Sequence, residues 1–260
     1  MTKWLYSETR GQGRDLVLLH GWGMNAAVWR GLPVDLALGH RLTAIELPGH
    51  GASPWDPAWW GLDDWAEACL AAAPARACWV GWSLGGLVAL AAARRSPERL
   101  SGLVLLTATP RFAQGPDWPA AMPAATLARF HDDLLADPTG TLQRFLALQV
   151  KGSEAERETL RQLRQELAAR PAPDPAALAL GLDLLRDADL RARLPELACP
   201  SLWLFGERDT LVPAAVASSI AALLPQARVQ AIPRAAHAPF LSHPAATTAA
   251  LLSFLWELET

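Results

Sequence analysis

Short apolar runs separated by turn residues dominate the first 110 positions and return after position 190. Each run is almost continuously apolar, which is typical of parallel strands covered on both faces. Segments of helical composition fall between the runs, so the pattern predicts a parallel sheet flanked by helices. The predicted strands are residues 15–20, 41–47, 77–82, 100–107, 200–206 and 227–232. The predicted helices between and after them are residues 84–95, 213–224 and 244–258.

Residues 111–189, which we call the cap region, have a different pattern. Prolines recur through this segment, and amphipathic helical stretches stand between them at residues 141–150, 153–170 and 175–186. No strand is predicted there. A helical block between two sheet-building segments predicts a cap inserted into a discontinuous core. We therefore predict an α/β core made of residues 1–110 and 190–260, with the cap region as its insertion.

Composition fits a globular protein and narrows the partners. The chain has 260 residues, of which 51% are hydrophobic and 19% charged, and a net charge of −3. This balance excludes a disordered chain and gives no general reason to expect nucleic-acid or membrane binding. The N-terminus lacks the apolar core of a signal peptide, and no apolar run reaches the roughly 18 residues of a membrane span. We expect a cytoplasmic monomer with Cys69, Cys78 and Cys199 as reduced thiols.

One motif carries chemistry: Gly81-Trp82-Ser83-Leu84-Gly85 stands between a predicted strand and a predicted helix. In this context Gly-x-Ser-x-Gly is the nucleophile elbow of α/β hydrolases, so the sequence predicts that fold. The sharp turn leaves no room for side chains at positions 81 and 85. The motif predicts Ser83 as a nucleophile and the Leu84 N–H as one oxyanion donor.

Serine needs a base to become nucleophilic, and in this fold the order along the chain is serine, acid, histidine. Four of the six histidines precede Ser83 or lie in the cap region: His20, His40, His50 and His131. His237 stands in a loop of small residues after the last predicted strand, where its ring can reach over the sheet. His243 is the alternative, but it opens the final helix in a capping position. We favour His237 as the base.

The acid is expected after the strand at 200–206, where Glu207 and Asp209 both stand. We favour Asp209 because it lies deeper in the loop, whereas Glu207 could pair with a surface arginine. The second oxyanion donor is expected after the first buried strand, and the N–H of Trp22 is the best candidate. Its indole is then expected at the mouth of the pocket. Such a site hydrolyses an ester through an acyl-enzyme and needs no metal or organic cofactor.

Several further stretches together carry a family resemblance. They are residues 18–23 (Leu-Leu-His-Gly-Trp-Gly), 81–88, 144–149 (Arg-Phe-Leu-Ala-Leu-Gln), 235–240 and 242–244. On these stretches the sequence resembles the pimeloyl-[acyl-carrier-protein] methyl ester esterases of biotin synthesis over nearly its full length. The resemblance implies a pimeloyl chain on an acyl carrier protein as substrate, with its far carboxyl masked as a methyl ester. It implies these substrate-site residues: Trp22, Ser83, Leu84, Phe145, Leu146, Ala147, Leu148, Gln149 and His237.

The cap region also carries a row of arginines. Arg157, Arg161 and Arg164 have the spacing of one helix face. The pattern alone favours a solvated face balanced by neighbouring glutamates. The resemblance instead implies contacts with the acidic carrier protein at Arg144, Arg157 and Arg161. One basic family position falls at Gly140 here, so we expect weaker or shifted docking.

Two other functions remain open at the level of sequence. The first is a broad-specificity short-chain carboxylesterase or an enol-lactonase of the same fold. The second is a ligand-binding protein that keeps the hydrolase scaffold without turnover, because a fold alone proves no function.

Overall fold

Seven strands form a single sheet in the computed structural model, which describes residues 4–259 apart from the side chains of Val34 and Asp35. The order across the sheet is β1-β3-β2-β4-β5-β6-β7. Strand β1 pairs antiparallel with β3, and all the other pairs are parallel. The strands are β1 (Ser7–Arg10), β2 (Arg14–Leu19), β3 (His40–Ile45), β4 (Ala77–Trp82), β5 (Leu100–Leu106), β6 (Ser201–Gly206) and β7 (Arg228–Ile232).

Both faces of the sheet are buried, which explains the apolar runs in the sequence. Alternate residues of a strand point to opposite faces, so Trp79 packs in one hydrophobic cluster while Cys78 and Val80 pack in another. The first cluster includes apolar residues of α2 (Leu62–Ala72), α3 (Leu84–Arg95) and α8 (Val216–Leu223). The second includes apolar residues of α1 (Val34–Gly39) and α10 (Pro244–Glu257).

The six predicted strands are present, with small shifts at their ends, and the predicted parallel sheet flanked by helices is confirmed. The sequence pattern did not indicate β1. This strand has four residues, none of them buried, and it pairs with β3 alone at the edge of the sheet. Helix α2 was also not predicted. It begins after Gly61, whose N–H donates to the Asp64 carboxylate at 2.9 Å, and it buries Trp65.

The structure describes every residue of the cap region. This region forms four helices and contributes no strand to the sheet. Two residues fix the start of α5. Pro138 occupies the first turn, and the Asp137 carboxylate accepts the N–H of Gly140 at 2.9 Å. The helices are α4 (Ala124–Ala136), α5 (Pro138–Val150), α6 (Glu156–Ala168) and α7 (Pro175–Asp187).

The cap region covers loops that follow the strands of the sheet. Phe145 of α5 and Leu178 of α7 belong to the same hydrophobic cluster as Trp22 and Leu84 of the core. A shared cluster means that the cap helices are packed onto the core rather than tethered beside it. The division into a core of residues 1–110 and 190–260 and an inserted unit of residues 111–189 stays a prediction.

Short helical segments complete the chain. They are 3₁₀ turns at Ala26–Gly31, Pro97–Arg99 and Arg191–Glu196, and a single helical turn α9 (Pro239–Ser242). Within residues 4–259, no helix is long and apolar enough to cross a bilayer. The three cysteines are free, as predicted. Burial raises the pKa of the Cys69 and Cys78 thiols, and it raises the pKa of Cys199 to about 11.

Candidate active site

Ser83 sits on a strained turn between β4 and α3. Its backbone has φ 54° and ψ −119°, a left-handed conformation that residues with a side chain rarely adopt. Its N–H donates to the carbonyl of Leu106 at 3.0 Å. A Cβ at Gly81 would lie 2.5 Å from the carbonyl oxygen of Gly85, and one at Gly85 would lie 2.5 Å from that of His20. Both flanking glycines are therefore required by close backbone approach.

Three hydrogen bonds hold the backbone of His237. Its N–H donates to the carbonyl of Gln149, at the end of α5, at 2.9 Å. Its own carbonyl accepts from Trp82 Nε1 at 2.7 Å and from Thr107 Oγ1 at 2.8 Å. Trp82 directly precedes Ser83, and Thr107 follows the strand that receives the Ser83 N–H. These bonds fix His237 against the elbow and tie it to the cap region.

Both oxygens of the Asp209 carboxylate form hydrogen bonds. Oδ2 lies 2.7 Å from Nδ1 of His237, and Oδ1 accepts the N–H groups of Leu211 at 2.8 Å and Val212 at 3.0 Å. Both side chains are almost completely buried. Because an ionised carboxylate only accepts, Nδ1 is the donor of this bond and the neutral ring keeps its lone pair on Nε2.

Nε2 of His237 is buried and has no hydrogen-bond partner among the residues that the structure describes. No bond joins it to Ser83 Oγ there, and such bonds are often long in enzymes without substrate. Ser83 is 3% exposed and His237 is 1% exposed. The paired acid and imidazole thus stand beside the elbow with the basic nitrogen unoccupied.

The two alternative residues lie in other arrangements. The Glu207 carboxylate accepts the backbone N–H of Arg234 at 2.7 Å, so it supports a loop rather than a histidine. His243 occupies the N-cap position of α10 but its side chain does not cap the helix. Its Nδ1 lies 2.9 Å from Ser242 Oγ and its Nε2 lies 4.0 Å from Glu154. Among residues 4–259, no hydrogen bond joins Glu207 or His243 to the side chain of Asp209 or His237.

The loop after β2 passes directly over Ser83. A Cβ at Gly21 would lie 3.4 Å from the Cβ of Ser83. The expectation for the Trp22 indole is wrong: it is fully buried instead of standing at a pocket mouth. Its Nε1 donates to the carbonyl of Leu178 at 2.8 Å, and its ring packs edge-on against Phe145 at 4.7 Å between centroids. The cap helices cover this side chain, which sequence reasoning did not foresee.

Two histidines that sequence reasoning set aside support this loop. His50 Nε2 accepts the N–H of Gly23 at 3.2 Å, and His20 Nε2 accepts the N–H of Leu47 at 3.0 Å. Nδ1 of His50 lies 2.9 Å from the carbonyl oxygen of Pro48, and Nδ1 of His20 lies 2.9 Å from that of Gly21. Both rings must stay neutral to accept these bonds.

The electrostatics agree with neutral rings. Burial lowers the pKa of His50 to about 4, and burial together with the neighbouring His50 keeps the pKa of His20 well below its usual range. The ring centroids are 5.3 Å apart. His20 ends one predicted strand and His50 stands three residues after another, and these positions are the signal that could have revealed this role.

The segment from Phe145 to Gln149 divides between several environments. Phe145 packs on Trp22, whereas Leu146 packs in the cluster on the other face of the sheet. Ala147 and Leu148 line an open cavity on the cap region. Gln149 is 1% exposed, and its side-chain Oε1 is buried without a hydrogen-bond partner in the described chain. The segment therefore has one face toward the elbow and one toward solvent.

The predicted carrier-contact arginines are exposed on α5 and α6. Arg161 pairs with Glu158, and Arg164 Nε donates to Gln143 Oε1 at 3.1 Å. Arg144 Nη2 donates to Thr141 Oγ1 at 2.7 Å. A docking role for Arg144, Arg157 and Arg161 stays a prediction. Among residues 4–259 no group of three or more histidine, cysteine or acidic side chains is arranged to hold a metal ion.

The family model described as alpha/beta hydrolase fold matches residues 16–244. The chain is 46% identical over 251 residues to a pimeloyl-[acyl-carrier protein] methyl ester esterase of Methylococcus capsulatus, covering 96% of this chain and 98% of that protein. It is 46% identical to the protein of the same name from Edwardsiella ictaluri, covering 96% of each. Its fold is similar to that of an esterase from Exiguobacterium antarcticum, with a TM-score of 0.87 at 22% identity over 98% of this chain and 96% of that one.

Proposed function

We propose that this chain, which belongs to the pimeloyl-[acyl-carrier protein] methyl ester esterases of the α/β-hydrolase family, hydrolyses the methyl ester of pimeloyl-[acyl-carrier protein] in biotin synthesis. The products are methanol and pimeloyl-[acyl-carrier protein] with a free terminal carboxylate. The observation that carries this proposal is 46% identity over 96% of the chain to relatives of that name. The chain is a carboxylic ester hydrolase, and the buried Asp209–His237 pair supports a serine mechanism for it.

Acylation begins at Ser83. Its Oγ attacks the ester carbonyl carbon while Nε2 of His237 accepts the hydroxyl proton. The carboxylate of Asp209 stabilises the imidazolium that forms and holds the ring in the required tautomer. His237 then gives the proton to the methoxy oxygen, the C–O bond breaks, and methanol leaves an acyl-enzyme on Ser83.

The N–H groups of Trp22 and Leu84 stabilise the negative oxygen of the tetrahedral intermediate. Leu84 is the first residue of α3, so the positive end of the helix dipole adds to its effect. Trp22 is held in place by the indole bond to Leu178 and by the loop that His50 supports. Water then attacks the acyl-enzyme, with His237 again as base, and releases the carboxylate.

The surroundings of the elbow suit an aliphatic ester. Trp22 and Phe145 supply a buried apolar wall, and Gln149 supplies one unpaired polar atom beside the backbone of His237. The seven-carbon acid and its methyl ester need this combination of apolar length with few polar contacts. We extend the site to the cap region, where Arg144, Arg157 and Arg161 would contact the acidic carrier protein.

Genetic complementation tests the proposal. The wild-type chain should restore growth without biotin to an auxotroph that lacks this esterase, and the Ser83→Ala variant should not. Failure of the soluble wild-type chain to rescue would overturn the biotin assignment. The hydrolase assignment would survive that result if simple methyl esters were still turned over in a Ser83-dependent way.

A further inference from the structure

An open cavity of about 630 Å³ lies on the cap region between α4 and α5. None of the residues of the proposed triad lines it. Phe130, Ala147 and Leu148 supply its apolar surface, and three cationic side chains stand around them: Arg129, Arg144 and Lys151. An apolar groove with several cations suits an elongated ligand that carries an anion.

Of the three cationic side chains around this cavity, Arg144 alone forms an ion pair with a described residue. Arg144 lies 3.6 Å from Asp133 and donates to Thr141, so its charge is already balanced within the cap region. The Glu156 carboxylate, which also borders the cavity, accepts the N–H of Gly152 at 2.9 Å. Arg129 and Lys151 form no ion pair with any of the residues from 4 to 259. Two exposed cations therefore border the apolar surface without an ion pair of their own, in a cavity that Asp133 and Glu156 also line.

Packed aromatic rings connect the cavity with the elbow. Phe130 borders the cavity and meets Phe145 edge-on at 5.5 Å between centroids. Phe145 in turn meets Trp22 at 4.7 Å. Trp22 follows Gly21, the residue that lies against the Cβ of Ser83. The cavity therefore lies two ring contacts away from the loop over Ser83.

We propose that this cavity binds the phosphodiester of the prosthetic arm on which the carrier protein holds its acyl chain, with Arg129 and Lys151 as the cationic ligands. This inference rests on the proposed function, because only a carrier-bound ester brings such an arm. Guanidinium and ammonium groups are the side chains that bind phosphate oxygens best. Arg129 lies on α4 and Lys151 directly follows α5, so both sides of the cavity supply a cation.

The test uses three methyl esters of pimelate and one double variant. The substrates are the thioester with 4′-phosphopantetheine, the thioester with dephosphorylated pantetheine, and dimethyl pimelate. In the wild type, kcat/KM should be about 5- to 30-fold higher for the phosphorylated thioester than for the dephosphorylated one, as expected for two exposed charge contacts. High salt should reduce this advantage. The variant Arg129→Gln/Lys151→Gln should lose the advantage of the phosphorylated thioester through a higher KM for that substrate. It should hydrolyse dimethyl pimelate at the wild-type rate.

Two matched variants separate a specific site from general charge. Arg95→Gln removes an exposed arginine of α3 that pairs with Glu67, and it should leave the phosphate advantage unchanged. Glu156→Gln removes a negative charge from the border of the cavity while keeping an oxygen for the Gly152 N–H. It should increase the phosphate advantage.

The possible outcomes are distinct. Equal wild-type kcat/KM for the two thioesters, or an advantage that survives in the double variant, overturns the phosphate site while the esterase function stands. A double variant that is impaired only with the intact carrier protein would assign the cations to acidic side chains of the carrier, which also overturns it. Hydrolysis of dimethyl pimelate without hydrolysis of either thioester would refute the proposed function, and the phosphate site with it.

Discussion

Replacing Asp209 with asparagine isolates the role of its charge. Oδ1 of Asp209 accepts two backbone N–H groups, so the amide oxygen of the Asp209→Asn variant should keep that place. The amide NH₂ then takes the place of Oδ2 and faces Nδ1 of His237. Nδ1 must accept instead of donating, which moves the ring proton to Nε2, the atom that has to receive the Ser83 proton.

The size of the effect follows from the distance. At an effective dielectric constant of about 20, two unit charges at the 2.7 Å separation of Nδ1 and Oδ2 attract by about 6 kcal/mol. Each factor of ten in rate corresponds to about 1.4 kcal/mol, so the upper limit is about four powers of ten. We expect kcat/KM of Asp209→Asn to fall about 10³- to 10⁴-fold.

The assay should use dimethyl pimelate, because a small ester does not depend on carrier docking. Ser83→Ala gives the baseline, and circular dichroism checks that each variant is folded. Glu207→Gln is the matched control: within residues 4–259 the Glu207 carboxylate accepts one hydrogen bond, from the backbone N–H of Arg234, so this variant should keep most of the activity. An Asp209→Asn variant within tenfold of wild type, or an equal loss in Glu207→Gln, would refute the assignment of the acid.

Three further changes have expected outcomes. Gly85→Ala should destabilise the fold by more than about 3 kcal/mol, measured by urea unfolding, because the new Cβ would lie 2.5 Å from the carbonyl oxygen of His20; a normal midpoint would contradict this. Thr107→Val should cost about 1 kcal/mol of stability and lower kcat, since it removes one of two side-chain donors to the His237 carbonyl; an unchanged melting temperature and rate would count against it. His50 should lower the free energy of unfolding by up to about 1.4 kcal/mol per pH unit as the pH falls from about 6.5 to 4, because the unfolded chain binds a proton that the buried ring refuses. Buried His20, whose pKa is also lowered, adds to this slope. His50→Gln should therefore reduce the slope without abolishing it, and a wild-type stability that stays constant over that range would exclude the explanation.

The parallel part of the fold could be predicted because its strands are buried on both faces and read as apolar runs. Strand β1 could not, because its pairing with β3 depends on a long-range contact that its four residues, none of them buried, do not encode. The elbow could be predicted from the Gly-x-Ser-x-Gly spacing together with the apolar strand before it and the helix after it. The close approach of Gly85 to the carbonyl of His20 is visible only in the structure. Asp209 could be preferred over Glu207 only by its depth in the loop, and the structure joins Asp209 to His237 by a hydrogen bond.

The parts that sequence missed depend on contacts between distant segments. The burial of Trp22 follows from Leu178, which is 156 residues away along the chain. The support of His237 by Thr107 and by the Gln149 carbonyl is set by how β5 and α5 pack around one loop. Neither contact leaves a local pattern. The carrier-contact arginines are the reverse case, because their helical spacing is visible but their partner is outside this chain.

Intact-mass analysis of the carrier protein tests the central claim most directly. Pimeloyl methyl ester on acyl carrier protein is incubated with the purified wild-type chain and, in parallel, with Ser83→Ala. The account predicts that the wild type removes the mass of one methylene unit from the carrier and releases an equal amount of methanol, while Ser83→Ala leaves the mass unchanged. A carrier-bound ester that stays intact while the wild type hydrolyses dimethyl pimelate would contradict it.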